Sequence, residues 1–167
     1  MRQILLTGGT GYIGSHIAAQ AITAGHNVVL YDNFCNSDKE VLATLNEITG
    51  KKLSLVEGDV RDTDLLFDTL SKFKATDVIH LAGLKSVEES VAKPDLYMDN
   101  NVEGSKSLVA AMTASGVCRL IFSSSATVYG EPEYLPLDEK HPLSPVNPYA
   151  ESKIRVEQFL NEVANNN

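Results

Sequence analysis

Tyr149 and Lys153 stand four residues apart in Tyr149-Ala150-Glu151-Ser152-Lys153, a spacing that puts both on one face of a helix, one turn apart. A free tyrosine titrates at about 10, so a phenol acting as a general base at neutral pH needs a positive charge beside it. Lys153 can supply that charge. Ser125, the last of Ser123-Ser124-Ser125 at the tip of an apolar run, could hydrogen-bond the same substrate hydroxyl and carry its proton. Taken alone, Tyr-x-x-x-Lys also occurs in helices whose tyrosine is a half-buried core residue and whose lysine is solvated. The pair gains meaning from what else the chain carries, in what order.

Near the N-terminus, Thr7-Gly8-Gly9-Thr10-Gly11-Tyr12-Ile13-Gly14 contains both Gly9-x-Gly11-x-x-Gly14 and Gly8-x-x-Gly11-x-x-Gly14. One glycine permits a tight strand-to-helix turn, another lets the backbone approach a pyrophosphate, and the last lets the helix pack close to the sheet. The helix then points its N–H groups and positive dipole end at the phosphates, so no lysine is required. Asp32 lies close to the offset of about 20 residues expected of a carboxylate that accepts from the adenosine ribose hydroxyls. A carboxylate there repels the extra phosphate of NADP, so NAD is the favoured dinucleotide, and its positive ring is a second charge able to stabilise a Tyr149 phenolate. Asp59 follows the third apolar run and has two readings. It could accept from the adenine amino group, or it could cap the helix that starts near Thr63.

These residues need elements to hold them. Five short, nearly continuous apolar runs, Gln3-Thr7, Asn27-Tyr31, Leu53-Glu57, Asp77-Leu81 and Val117-Ser123, read as strands covered on both faces. Between them lie segments of helical period: Tyr12-Ala24, Lys39-Thr49, Thr63-Lys74, and a long one from about Pro94 to Ser115. Gly25, Gly50 and Gly116 sit where helices should stop. This alternation predicts a doubly wound, Rossmann-type parallel α/β sheet forming one domain over residues 1–167. Gly130 to Pro148 holds five of the six prolines and reads as a loop. Helix resumes at Tyr149, with Pro148 suited to the first turn, Asn147 as its cap, and Val156, Phe159, Leu160 and Val163 on its apolar face. The sequence closes on Asn165-Asn166-Asn167.

Composition narrows the classes. With 14 Lys+Arg against 22 Asp+Glu the formal net charge is −8, and no basic run is present, which disfavours nucleic acid as a partner. The longest apolar runs fall far short of the roughly 18 residues of a membrane span, no signal-peptide pattern opens the chain, and a reducing cytoplasm is the expected location. Two cysteines, Cys35 and Cys118, form no C-x-x-C pair, and His16, His26, His80 and His141 have no metal-ligand spacing, so no metal is expected. His80 reads as a satisfied core histidine, Cys35 as a small loop residue, Tyr129 as a packing residue, and Glu88-Glu89 as a solvated helix face.

Gly8-Gly9-Thr10-Gly11-Tyr12-Ile13-Gly14-Ser15-His16, Asp32-Asn33-Phe34-Cys35-Asn36-Ser37, His80-Leu81-Ala82-Gly83-Leu84-Lys85, Asp99-Asn100-Asn101-Val102 and Ser123-Ser124-Ser125-Ala126-Thr127-Val128-Tyr129-Gly130 resemble the extended short-chain dehydrogenase/reductases. Within that family the likeness is to the UDP-glucose 4-epimerases and runs over the whole chain. It implies an isomerase of galactose metabolism: NAD takes a hydride from C4 of a UDP-sugar while Tyr149 removes the hydroxyl proton, the 4-keto sugar turns over, and the hydride returns to the other face. Carried over, the glycine loop with Gly8, Gly11, Tyr12, Ile13 and Gly14 would contact NAD. So would Asp32, Asn33, Phe34, Cys35, Asn36 and Ser37, then Asp59 and Val60. Leu81, Ala82, Gly83, Leu84, Lys85 and Asn100 complete the implied set, with Lys85 near the phosphates or the nicotinamide side. Lys153 would hold the nicotinamide ribose as well as tune Tyr149, and Ser125 and Tyr149 would touch substrate.

The related dehydratases place Asp-Glu just after the strand-five tip, where this chain has Ala126-Thr127. Chains of the family are about twice this length, and their second half supplies a sixth strand, the loops that grip UDP and most of the sugar pocket. The expectation is therefore a cofactor-binding half without the C-terminal substrate domain, in a family whose members are commonly homodimers. The competing reading is a short non-catalytic NAD-binding module for redox sensing or interaction, which would need the glycine loop but not Ser125, Tyr149 and Lys153. Another NAD-dependent nucleotide-sugar epimerase is the third.

Overall fold

The computed structural model describes residues 1–165, so Asn166 and Asn167 of the terminal asparagine run lie outside the described residues. Five strands form, β1 (Gln3–Thr7), β2 (Asn27–Asp32), β3 (Ser54–Glu57), β4 (Asp77–His80) and β5 (Leu120–Phe122). They make one parallel sheet in the order β3-β2-β1-β4-β5, with Leu5 level with Val29 on one side and Val78 on the other. This is the Rossmann-type arrangement expected from the alternation of apolar runs. The chain reverses its direction of travel across the sheet between β1 and β4, where an open α/β sheet leaves a crevice at the carboxyl ends of its strands.

Two-residue alternation along the strands divides the core. Ile4, Leu6, Val28 and Leu30 pack on one face with Ala18 and Ile22 of α1 (Tyr12–Thr23) and Leu45 of α2 (Glu40–Thr49). Leu5, Val29, Tyr31 and Val78 pack on the other with Leu66 and Leu70 of α3 (Thr63–Phe73) and with Leu108 and Met112, which follow in the chain. Gly25, Gly50 and Gly116 all take the left-handed conformation at helix ends, as expected. His80 is buried with Nδ1 2.6 Å from the Thr7 hydroxyl, the satisfied core histidine its setting suggested.

The chain forms two compact units, one of Met1–Ala82 with Lys106–Ser123, which holds the sheet, and one of Gly83–Ser105 with the described residues from Ser124 onward. In the second, α4 (Val87–Ala92) and α5 (Pro94–Tyr97) precede a wider turn, Met98–Glu103, whose backbone bonds reach five residues, before α6 (Gly104–Ser115) begins. The single long helix expected from about Pro94 to Ser115 is thus interrupted, and α4, capped by Ser86 accepting from Glu89 N, is an additional element. The strand expected over Val117-Ser123 is shorter because Val117 N donates to Met112 O and ends α6 instead of pairing in the sheet. No helix among the described residues is long and apolar enough to cross a membrane.

After β5 comes a tight 3₁₀ turn at Ala126–Tyr129, then a loop, then α7 (Pro148–Asn165). Asn147 caps α7 as the sequence suggests, its Oδ1 accepting from Ala150 N at 2.8 Å. Because that amide has no acceptor inside the helix, Asn147→Ala should lower the unfolding free energy by about 1 kcal/mol, with most of it restored by Asn147→Ser, as read by urea denaturation.

Candidate active site

In the first unit the glycine loop folds as its composition requires. Gly8 has φ +69°, and a Cβ on it would meet Ala82 N at 2.7 Å, while a Cβ on Gly14 would collide with the Gly8 carbonyl. A side chain at Gly8 would push against the backbone that follows β4, and one at Gly14 would push the start of α1 off the glycine loop. That helix opens on Gly11 with no side-chain cap and no acidic residue in its first turn, and Tyr12 and Ile13 are exposed there. Its first N–H groups and dipole therefore present positive potential with no carboxylate of their own helix to offset it, the arrangement a pyrophosphate needs.

Asp32, at the end of β2, is almost fully buried, and its carboxylate joins the two loops. Oδ2 accepts from Thr10 N at 3.0 Å, while Oδ1 accepts from Phe34 N at 3.0 Å and from the Ser37 hydroxyl at 3.1 Å. Ser37 Oγ also lies 2.7 Å from Thr10 Oγ1. Three bonds leave Oδ2 room for one more donor. Phe34 holds φ +59°, uncommon for a side-chain-bearing residue, with Lys39 Nζ 5.0 Å from its ring centroid. Asn33 links this loop to the next, its Oδ1 accepting from Cys35 N and its Nδ2 donating to Asp59.

Of the two readings of Asp59, helix capping falls. Asp62 caps α3 by accepting from Leu65 N at 3.0 Å, and Asp59 instead receives Nε and Nη2 of Arg61 at 2.9 and 2.8 Å. Those Arg61 bonds, with Asn33, hold its carboxyl at about 2. Cys35 is exposed, yet partial burial and the charges of Asp32 and Asp59 raise its thiol, which disfavours the thiolate and agrees with a small loop residue.

The second unit carries Ser125, Tyr149 and Lys153, the residues expected to handle the proton. Lys153 is buried, 6 % exposed, with Nζ 5.9 Å from the Tyr149 ring centroid, so the helical spacing does bring the pair together. Burial pushes the ammonium down to about 8, against an opposing pull from Glu157. The Tyr149 phenol is half-buried and makes no hydrogen bond among the described residues. Its ring meets the edge of Tyr97, centroids 6.4 Å apart at 83°. Tyr97 is fully buried and donates to Glu89 Oε2 at 3.1 Å, so Glu89 is not simply the solvated face its sequence suggests. Ser125 Oγ lies 2.9 Å from Thr127 Oγ1 and accepts from Thr127 N, capping the short turn that follows it. Beside it, the Ser124 hydroxyl is buried without a partner among the described residues.

Asn101 is the residue that sequence reasoning passed over. Its Oδ1 accepts from Leu84 N at 2.8 Å and from Asn100 Nδ2 at 3.0 Å, and its Nδ2 donates to Leu84 O and Ser152 Oγ, both at 3.0 Å. Ser152 in turn donates to Tyr149 O at 2.7 Å. One amide thus ties the segment after Gly83 to the first turn of α7, between Tyr149 and Lys153 in sequence. The signal was the doubled Asn100-Asn101, which the wide turn buries. Gly83 lies against this amide, and Lys85 is exposed.

A lysine lowered from 10.5 to about 8 is a group that folding strips of water. Below pH 8 both folded and unfolded chains keep the proton and the full cost is present; between pH 8 and 10.5 only the folded chain loses it, so stability rises with pH there. Across that window the rise should approach roughly 3 kcal/mol, and Lys153→Met should flatten it while raising stability at neutral pH, as read by urea denaturation at several pH values.

A family model described as GDP-mannose 4,6 dehydratase matches residues 5–166. UDP-glucose 4-epimerase of Yersinia enterocolitica is 51% identical over 160 residues, which are 95% of this chain and 48% of that protein. Among solved structures, UDP-glucose 4-epimerase from Stenotrophomonas maltophila, with bound NAD and formylated UDP-arabinopyranose, superposes with a TM-score of 0.98 at 40% identity, covering 99% of this chain and 49% of the other. The enzyme from Bifidobacterium longum, in complex with NAD+ and UDP, gives 0.94 at 42%, covering 96% and 48%. The chain spans about half the length of the curated relatives it matches. With a family model over nearly all its residues and these relatives, the chain belongs to the UDP-glucose 4-epimerase family of short-chain dehydrogenase/reductases.

Proposed function

We propose that this chain is the cofactor-binding and proton-handling portion of an enzyme that interconverts UDP-glucose and UDP-galactose by inverting C4. The observation that carries the reading is the buried Lys153 beside an unpartnered Tyr149 phenol, both on a helix fixed by Asn101. The residues fit NAD: the start of α1 offers uncapped N–H groups to the pyrophosphate, and Asp32 keeps one acceptor site for a ribose hydroxyl. When bound, NAD supplies the reversible oxidation of the sugar at C4. Tyr149 takes the proton from the C4 hydroxyl as that oxidation proceeds and gives it back on the return. Lys153 lowers the energy of the Tyr149 phenolate and donates to the nicotinamide ribose. Ser125, whose hydroxyl can turn from Thr127 to the sugar, steadies the oxygen that changes protonation. Asp59, Val60, Leu81, Ala82, Gly83, Leu84, Lys85 and Asn100 are the further residues that would contact NAD, with Lys85 near its phosphates or nicotinamide side.

Calorimetric titration tests the cofactor assignment: NAD should bind at least about tenfold more tightly than NADP, and Asp32→Asn should narrow the gap, since a buried carboxylate repels a ribose phosphate. Equal affinity would overturn it. In the enzyme of which this chain is proposed to be a portion, assayed with UDP-galactose, Tyr149→Phe should cut turnover by about 10²–10⁴-fold, leaving NAD affinity unchanged within about threefold. Unchanged turnover would remove Tyr149 from the mechanism.

A further inference from the structure

Between Ser125 and Tyr149 the chain runs through a loop with no regular structure from Gly130 to Asn147, and at its centre lies His141, 4 % exposed. Both ring nitrogens are engaged, and the two bonds demand opposite protonation. Nε2 lies 2.9 Å from Glu133 N, a backbone N–H that can only donate, so Nε2 must carry a lone pair. Nδ1 lies 2.9 Å from the Pro142 carbonyl, which can only accept, so Nδ1 must carry the hydrogen. One neutral tautomer satisfies both. The imidazolium would set Nε2–H against the Glu133 N–H, two donors facing each other in a buried place.

The loop that His141 closes is joined to the site at both ends. Ser144 N donates to Val128 O at 3.0 Å, fastening the returning chain to the turn that Ser125 caps. Gly130 has φ +64° there, and a Cβ on it would collide with the Ser144 carbonyl. Three residues after Ser144 comes Asn147, the cap of α7, so the chain between them spans about 10 Å at most and cannot absorb a displacement of the loop.

We infer that His141, in its neutral Nδ1–H tautomer, is a positioning residue: it pins the 130–147 loop and through it sets both the Ser125 turn and the Tyr149 end of α7. The importance of those two ends rests on the function proposed above; the pin itself does not. The groups around the ring are mixed. The Tyr129 and Tyr134 rings flank it, 5.4 and 4.8 Å between centroids. Asp138, whose carbonyl accepts from His141 N, keeps its carboxylate on Tyr134 OH and Lys140 N. The Glu133 and Lys140 side chains belong to the same loop. A hydrogen on Nε2 would break the Glu133 bond, so a side chain with one donor and one acceptor in these positions is the natural replacement.

The test needs neither NAD nor sugar, so it stands or falls apart from the enzyme assignment. In the ¹⁵N-labelled full chain, His141 should show a protonated Nδ1 and an unprotonated Nε2 at neutral pH, and as its ring protonates on acidification the Glu133, Ser144 and Ala150 amides should lose exchange protection together. His141→Ala should speed their exchange by about tenfold at neutral pH, the loss of one hydrogen bond's worth of stability. His141→Gln should keep the protection and abolish its dependence on pH in this range. An Nε2–H tautomer, protection that ignores the His141 titration, or a response confined to Glu133 with Ser144 and Ala150 unmoved would each overturn the inference. The wild-type titration decides the matter even if the alanine variant fails to fold.

Discussion

A carboxamide has two donors and two acceptor positions, and when all four are taken it can turn no further without breaking a bond. Asn101 is in that state, bound to both backbone groups of Leu84, to Asn100 and to Ser152. What depends on it is the placement of a charge. Lys153 sits in the turn that Ser152 begins, and a buried ammonium is tolerable only where its surroundings are fixed in advance. The wide turn at Met98–Glu103 buries Asn100, Asn101 and Val102 on consecutive residues.

The first unit uses the same device with a different group. Asp32 could wait in solvent for a ligand; instead three donors from two loops already hold its carboxylate, and both loops take their shape from it. Binding then requires little rearrangement of the carboxylate itself, which lowers the cost of ordering on association. A chain of net charge −8 that is to hold a doubly negative pyrophosphate, as proposed, needs a positive potential that no lysine of the glycine loop supplies. The positive potential comes from backbone N–H groups at the start of α1, where glycines let the phosphate approach and no acidic side chain of the first turn intervenes.

How much of this was legible follows from the range of the interactions. Strand runs, helix ends at Gly25, Gly50 and Gly116, the Asn147 cap and the Tyr149-Lys153 spacing are local, and the amino-acid order contains them. The Asn101 network joins residues 17 and 51 positions away, and nothing in a local pattern pairs them. Asp59 and Asp62 show the limit at short range as well. Both precede α3, but Asp62 stands directly before Thr63 and caps the helix, while Asp59 is engaged by Arg61. The interruption of the helix expected from Pro94 went unseen for a related reason, since its benefit is the burial of two asparagines whose partners are distant in sequence.

The matching family model takes its description from a dehydratase, while the relatives reported above are epimerases, so the fold alone cannot separate elimination of water from simple inversion. The residues after the fifth strand can. Elimination requires an additional acid and base near the sugar, groups that protonate a leaving hydroxyl and remove a carbon-bound proton. Positions 126 and 127 offer a methyl group and a hydroxyl, and the Thr127 hydroxyl is bonded to Ser125 within the turn that Ser125 caps. Neither titrates in the range such a step needs. With Tyr149 and Lys153 as the proton-handling pair proposed above and no acid–base pair at positions 126 and 127, this segment supports the proposed inversion at C4 over elimination.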